Sequence, residues 1–518
     1  MRSVLVCSGL TSIHRVKLFY IPFLIAGIIF TFLNIHYLRL MQLDFQKTCL
    51  QNSIRHATKS SSNNTAIPHV WVRAKNIESG YLDHVLRVFE RLGYTRTEDT
   101  DSWEVLWHHD YPFMDDLLKP ILQKLKPNQK VNHIPGSGFY TSKVNLATSN
   151  ITRIPPAFKL PEQKRKFKQF AQKHPETLWV QKSNKHRGIV IQKPEDLNLE
   201  EKESFIQEYI ANPMLIDGRK FDIGVYVIIT SVQPLRVYML TSEALLRFCP
   251  KDYLPFDPKD KDKYVVGDDY TPTWKIPSLS RYYTDTDSGY KTALDSYIRQ
   301  IGKDPSVIWM QIQNTIREVM FASESNFLSL IHKYANKGRN FFELSRFDFV
   351  VDEHLNVYLM EANMSPNLSS AHFAQNRLLY EQVLYNLFSV VGIANHVSKM
   401  SAFTRSEEAE DMLVSSKDIS VYHADCAQDK CIGCSHNKCA LCPHCLTTAR
   451  VTMLRDAYVE HVNRLNTRRV IPLALDQNTM LTNEIHFAKN VEKLLTTDDK
   501  ILAWWFRGKC LIDPSWCN

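Results

Sequence analysis

The stretch FFELSRFDFVVDEHLNVYLMEANMSPNLSS, residues 341–370, constrains this chain more than any other. Arg346-Phe347-Asp348 leads into the apolar run Phe349-Val350-Val351, Asp352-Glu353-His354 makes a turn, and Val357-Tyr358-Leu359-Met360 returns toward Glu361-Ala362-Asn363. Two β-prone runs around a polar turn predict a hairpin. Side chains alternate across a strand, so Glu361 and Asn363 share a face while Asp348 stands on the neighbouring strand. Two carboxylates and a carboxamide are hard oxygen donors. Such a set suits Mg²⁺, which keeps waters and nucleotide phosphates as its other ligands. A hairpin with polar ends and no ion is the other reading of this spacing.

Upstream, Trp179-Val180-Gln181-Lys182 predicts a strand ending in lysine. The loop from Ser183 through Arg187, Gly188 and Ile189 follows, and then the strand Val190-Ile191-Gln192. A hairpin of this kind covers nucleotide phosphates with backbone N–H groups and a lysine charge. It is not a Walker loop, because no GK[ST] opens a helix. The run from Phe205 through Gln207 and Tyr209 to Ile210 predicts a strand whose edge meets an adenine. Asp217-Gly218-Arg219-Lys220-Phe221-Asp222-Ile223 leads into an apolar strand, with Lys220 and Asp222 on one face.

These pieces, in this order, resemble the tubulin tyrosine ligase-like family, a branch of the ATP-grasp ligases. Asn132-His133-Ile134-Pro135-Gly136 with Lys143 is similar to its NHFPG…K segment, and residues 217–222 match its DGRKFD motif. Residues 342–348 and 361–366 match its FELxxFD and ExNxSP motifs, and the likeness runs over about residues 69–395. The resemblance implies an enzyme that uses ATP to phosphorylate a carboxylate, which an amine then attacks to form an amide. The activity implied is addition of glutamate to a glutamate side chain of tubulin or another acidic protein tail. By the same resemblance Lys182, with Arg187, Gly188 and Ile189, would contact ATP phosphates, and Gln207, Tyr209 and Ile210 would lie along the adenine. Lys220, Asp222 and Arg247 would face the phosphate and amino-acid end, and Asp348, Glu361 and Asn363 would hold Mg²⁺.

Three positions depart from the pattern. Gly224 stands where the family's DGRKFDIR ends in arginine, no HLTN segment follows Arg247-Phe248, and His186 replaces the first glycine of a GxG loop. The stretch where HLTN is expected reads Lys263-Tyr264-Val265-Val266-Gly267-Asp268-Asp269. An ATP-binding, membrane-anchored scaffold without ligation is therefore the alternative to the ligase.

At 518 residues, 44% apolar and 23% charged, the chain has the make-up of a globular protein of several domains. A net charge of +8 permits acidic partners, and nothing in the pattern points to nucleic acid. After a flank at 1–17, residues 18–38 contain no Asp, Glu, Lys or Arg. That is long enough for one transmembrane helix, and no clear small-residue cleavage site supports the competing reading of a cleaved signal peptide, so the chain is expected to be a single-pass membrane protein. Basic residues on both sides leave the orientation undecided. Residues 39–68 form a polar linker. The fold expected beyond it is α/β, an ATP-grasp core at 69–395 with a small N-terminal Rossmann-like lobe. The basic run Lys164-Arg165-Lys166 reads as a solvated helix face, and residues 377–393 read as an amphipathic helix packed on the core.

A second linker, 396–420, leads to a cysteine-rich tail at 421–518. Cys426, Cys431, Cys434, Cys439, Cys442, Cys445, Cys510 and Cys517 make an even set of eight. The CxxC spacings suit Zn²⁺, and the even number suits four disulfides. Both readings stand. Asn64-Thr65 with Asn63, and Asn150-Ile151-Thr152, fit glycan acceptor sequons.

Overall fold

The computed structural model describes residues 67–183, 189–394, 412–475 and 483–518, all within one unit spanning Ile67–Asn518. Chain order sorts the strands into three sheets. Strands β1 (His69–Arg73), β2 (Thr95–Thr97), β3 (Val105–His108) and β4 (Lys130–Val131) form a parallel sheet in the order β2-β1-β3-β4. Helix α1 (Asp83–Arg91) crosses between β1 and β2 and buries Val85, Val88 and Phe89. This lobe is α/β, as the sequence led us to expect.

A second sheet is antiparallel, in the order β5 (Ala157–Leu160), β8 (Ser204–Glu208), β6 (Trp179–Ser183), β7 (Val190–Gln192). The basic helix α2 (Lys164–Lys173) covers it, presenting Phe167 and Ala171 to Trp179 while its lysines face outward. Fully burying a side chain of that size contributes roughly 1.5–3 kcal/mol.

The third sheet has eight strands and carries the largest core. Its spine is β10 (Arg219–Val232), preceded by β9 (Leu215–Ile216). One edge of β10 pairs first with β12 (Leu245–Phe248) and then with β11 (Leu235–Leu240), while β13 (Thr271–Pro272) extends β12. The other edge pairs with β14 (Glu343–Val351), which pairs in turn with β15 (Val357–Met364). Helices α3 (Pro277–Asp285), α4 (Tyr290–Gln300), α5 (Ser306–Ile331) and α6 (Arg377–Val390) separate or follow these strands. Helix α5 buries Ile308, Ile312, Ile316, Val319, Ser323 and Phe327, a spacing of three to four residues that lays one stripe on the core.

Beyond residue 412 the chain builds its own apolar cluster around Trp504, Trp505, Phe506 and Trp516. It uses α7 (Thr448–Val462), α8 (Glu484–Val491) and α9 (Thr497–Ile512). The same segment also lends β16 (Thr467–Ile471) to the central sheet, where it pairs antiparallel with β11. The eight cysteines pair as Cys426–Cys442, Cys431–Cys439, Cys434–Cys445 and Cys510–Cys517. Among the described residues only Cys249 is free. Cys434, His444 and Cys445 lie close enough to share a metal ion, but both sulfurs belong to one disulfide. Neither can be the thiolate that zinc requires.

The expectation of a single-pass membrane protein is corrected. Among the described residues no helix is long and apolar enough to cross a membrane. The longest, α5, runs for 26 residues but carries Arg317, Glu318 and Glu324. Residues 18–38, on which the expectation rested, lie outside the described residues.

Candidate active site

The predicted hairpin is β14–β15. Asp352 fixes its turn: its carboxylate accepts the backbone N–H of His354 at 2.9 Å and of Asn356 at 2.7 Å. Pairing places Asp348 opposite Glu361 and Arg346 opposite Asn363, with a bulge immediately after Asp348. On the other side, β14 sets Asp348 opposite Gly224 and Arg346 opposite Tyr226 of β10. Strand β12 sets Arg247 opposite Asp222. Registry across four strands therefore puts Arg247, Asp222, Asp348 and Glu361 on one face, with Asp222 two residues from the partner of Asp348, although more than a hundred residues separate the first pair from the second.

The charges interlock. Arg247 donates Nε to Asp222 Oδ1 at 2.9 Å and Nη2 to Asp222 Oδ2 at 2.8 Å. Its Nη2 also lies 3.2 Å from Asp348 Oδ2. Arg346 forms a second fork, Nε to Asp348 Oδ1 at 2.7 Å and Nη2 to Oδ2 at 2.9 Å. Asn363 bridges two carboxylates, donating Nδ2 to Asp348 Oδ2 at 3.2 Å and to Glu361 Oε1 at 3.1 Å. Burial pushes the Asp222 carboxyl upward; Arg247 opposes that and the Asp348 charge adds to it. Burial would also raise Asp348, but Arg346 and Arg247 outweigh it and hold the carboxyl below its ordinary value.

Asp222, Arg247, Asp348 and Glu361 line a cavity of about 180 Å³. Lys182 enters from β6 and Lys220 from β10, and Tyr209, Ile210 and Ile189 form an adjoining wall. Burial pushes the Lys182 ammonium down to about 8, against the pull of Glu361 and with Lys220 and Lys143 adding to the fall. Burial lowers Lys220 as well. Its ammonium donates to the Tyr264 carbonyl at 3.0 Å and sits 5.2 Å from the centre of the Tyr209 ring. Lys143 Nζ lies 3.7 Å from Glu361 Oε2.

The cavity suits the base of a nucleotide at one end and a cation at the other. Gln207 is buried, its Oε1 accepts Lys182 Nζ at 3.2 Å, and its Nε2 has no partner among the described residues. A buried amide with a spare donor is costly unless a ligand satisfies it. The volume is below the ~300–1,000 Å³ of pockets for drug-sized ligands, so a triphosphate must extend past it. At the other end, the Asp348 and Glu361 carboxylates converge on the Asn363 amide, so that hard oxygen donors of the kind a divalent cation takes stand together. A larger cavity, about 470 Å³, lies beside His133, Glu343 and Ser365 and contains none of the predicted site residues.

The structure thus brings together Lys182, Ile189, Tyr209, Ile210, Lys220, Asp222, Arg247, Asp348 and Glu361, with Gln207 and Asn363 bonded to members of that group. Arg187 and Gly188 lie outside the described residues. Arg346 is not among the predicted site residues, although strand alternation puts it on the face of Asp348, its partner two residues on. The sequence reading also missed the use made of residues 264–266: where HLTN was expected, Tyr264, Val265 and Val266 line the cavity. The NHIPG segment has a supporting part. His133 Nδ1 lies 3.0 Å from Glu343 Oε1, and Ile134 N donates to Glu343 Oε2 at 3.1 Å.

Residues 122–400 match the model of the tubulin-tyrosine ligase family. The chain is 44% identical over 453 residues to the probable tubulin polyglutamylase ttll-15 of Caenorhabditis elegans, covering 86% of this chain and 85% of that protein. It is 28% identical over 310 residues to human tubulin monoglutamylase TTLL4, covering 55% of this chain and 25% of that one. Mouse tubulin polyglutamylase TTLL5 is 29% identical over 303 residues, 53% of this chain and 22% of its own length.

Proposed function

Because this chain belongs to the tubulin-tyrosine ligase family, we propose that it is an ATP- and Mg²⁺-dependent ligase that adds glutamate to glutamate side chains of tubulin or another acidic protein. The donor and the acceptor are taken from relatives whose names are tubulin polyglutamylase and tubulin monoglutamylase. The observation that carries the reading is the single cavity in which two lysines face Asp222, Asp348, Glu361 and Arg247.

A carboxylate cannot acylate an amine until an oxygen becomes a leaving group. In the proposed reaction an acceptor carboxylate oxygen bonds to the γ-phosphorus as ADP leaves. The donor amine then attacks the acyl carbon, loses a proton, and phosphate departs. Phosphoryl transfer of this kind needs positioning and charge neutralisation more than covalent help. Lys182 and Lys220 bind phosphate oxygens, and Gln207 offers its spare N–H to the base beside Tyr209 and Ile210. Asp348, Glu361 and Asn363 hold Mg²⁺, which supplies positive charge at the phosphates. Arg247, steadied by Asp222, faces the amino-acid end. Tyr264, Val265 and Val266 keep water from the activated acyl group.

The test is ADP release by the full chain with tubulin, glutamate and Mg–ATP. Release that requires both tubulin and glutamate, and that disappears in Glu361→Gln, supports the ligase. ADP release indifferent to either substrate refutes it.

A further inference from the structure

Gly224 stands directly opposite Asp348, and a Cβ built on it would meet Arg346 Cδ at 2.9 Å and Asp348 Oδ1 at 3.1 Å. Real Cβ atoms do not approach that closely, so any side chain at 224 displaces Arg346. The space over Gly224 is therefore the passage through which Arg346, 7% exposed, reaches both oxygens of Asp348. Arg247 adds a second positive charge 3.2 Å from the same carboxylate. Glu361, by contrast, keeps a third of its side chain exposed, with Lys143 no closer than 3.7 Å.

We propose that Arg346, admitted by Gly224, competes with the divalent cation for Asp348 and so sets how weakly the site holds that cation. This rests on the Mg–nucleotide reading of the site, though not on ligation. In this arrangement Glu361 and Asn363 carry the cation's coordination, and Asp348 is shared with a guanidinium. A bidentate guanidinium and a nearby cation repel each other and use the same lone pairs. Loss of Arg346 releases the carboxylate to the metal. The glycine at 224 is then one half of a two-residue arrangement, and an arginine introduced there would collide with one already present.

The experiment is a Mg²⁺ titration of binding of a fluorescent ATP analogue to the full chain, which requires no turnover. Arg346→Met is expected to lower the half-saturating Mg²⁺ concentration by about tenfold or more, the scale of a charge-assisted hydrogen bond. Gly224→Ala pushes Arg346 aside without deleting it and is expected to shift the midpoint the same way, by less. A merely structural role for Arg346 would weaken binding in both variants and tighten it in neither. An unchanged or higher midpoint in Gly224→Ala overturns the proposal, and that variant decides the matter if Arg346→Met does not fold. A wild-type chain that binds the analogue in a Mg²⁺-dependent way but transfers no glutamate would defeat the ligase reading alone. A wild-type chain that binds no analogue at any Mg²⁺ concentration would defeat both.

Discussion

Glu460 ties the C-terminal segment to the sheet that carries the site, and its loss should be felt across that junction. It sits on α7, yet its carboxylate accepts Arg236 Nε at 2.8 Å, Arg236 Nη2 at 2.9 Å and Thr230 Oγ1 at 2.8 Å, donors on β11 and β10. The two side chains are only 4% and 10% exposed, so the pair is not screened by solvent. Glu460→Gln keeps the shape but leaves the Arg236 charge buried opposite an amide. Breaking a buried ion pair in this way costs about 3–5 kcal/mol. Replacing both partners with apolar side chains of similar size, Arg236→Met with Glu460→Leu, should cost far less, because no charge is left stranded. The difference between the double variant and the sum of the singles should then be at least about 2 kcal/mol. Urea unfolding of the full chain under oxidising conditions measures it. Trp504, Trp505 and Trp516 report on the C-terminal cluster. A cost below about 1 kcal/mol for Glu460→Gln, or strict additivity in the double variant, would refute the reasoning.

Three further outcomes are expected. The Lys182 ammonium, lowered from 10.5 to about 8, loses its proton in the folded chain while the unfolded chain still holds one. Stability therefore gains between those values as pH rises, whereas ATP affinity falls through about pH 8. Lys182→Arg should abolish that fall in a binding titration, since the guanidinium stays charged. Glu324 on α5 is buried against Asp499 of α9, and burial followed by the Asp499 charge lifts its carboxyl from 4.5 to about 9. The native chain then holds the extra proton across that window and loses stability as pH rises. Glu324→Gln should flatten this dependence and stabilise by on the order of 2 kcal/mol at pH 8 in denaturant melts. Non-reducing peptide mapping should recover the four disulfide pairs, with Cys249 alkylated only after unfolding, because burial pushes its thiol up to about 12.

What could be read in the sequence was local. The β14–β15 hairpin follows from two apolar runs around Asp352, and the spacing of Glu361 and Asn363 fixes their common face without reference to the rest of the chain. Strands β6, β8 and β10 are legible for the same reason, and each delivers a site residue at its end. What depends on register across the sheet was not legible. Alternation alone puts Arg346 on the face of Asp348, but the gap at Gly224 that lets it reach the carboxylate appears only when β14 is laid beside β10. That gap changes the meaning of the missing arginine at 224, which in sequence looks like a simple loss of charge. Strand β16 is similar: its partner β11 lies more than two hundred residues earlier, so residues 467–471 carry no signal of belonging to the central sheet. Cysteine spacing could not choose between zinc and disulfides, because CxxC serves both, and only the folded pairing of sulfurs decides.

In the proposed function this cavity joins an amino acid to a carboxylate side chain. Mass spectrometry of tubulin incubated with the full chain, glutamate and Mg–ATP tests it most directly. Glutamate joined through an amide to side-chain carboxylates is expected with the wild-type chain and not with Glu361→Gln. Unmodified tubulin and unmodified acidic peptides, from a chain that binds Mg–ATP, would contradict that function.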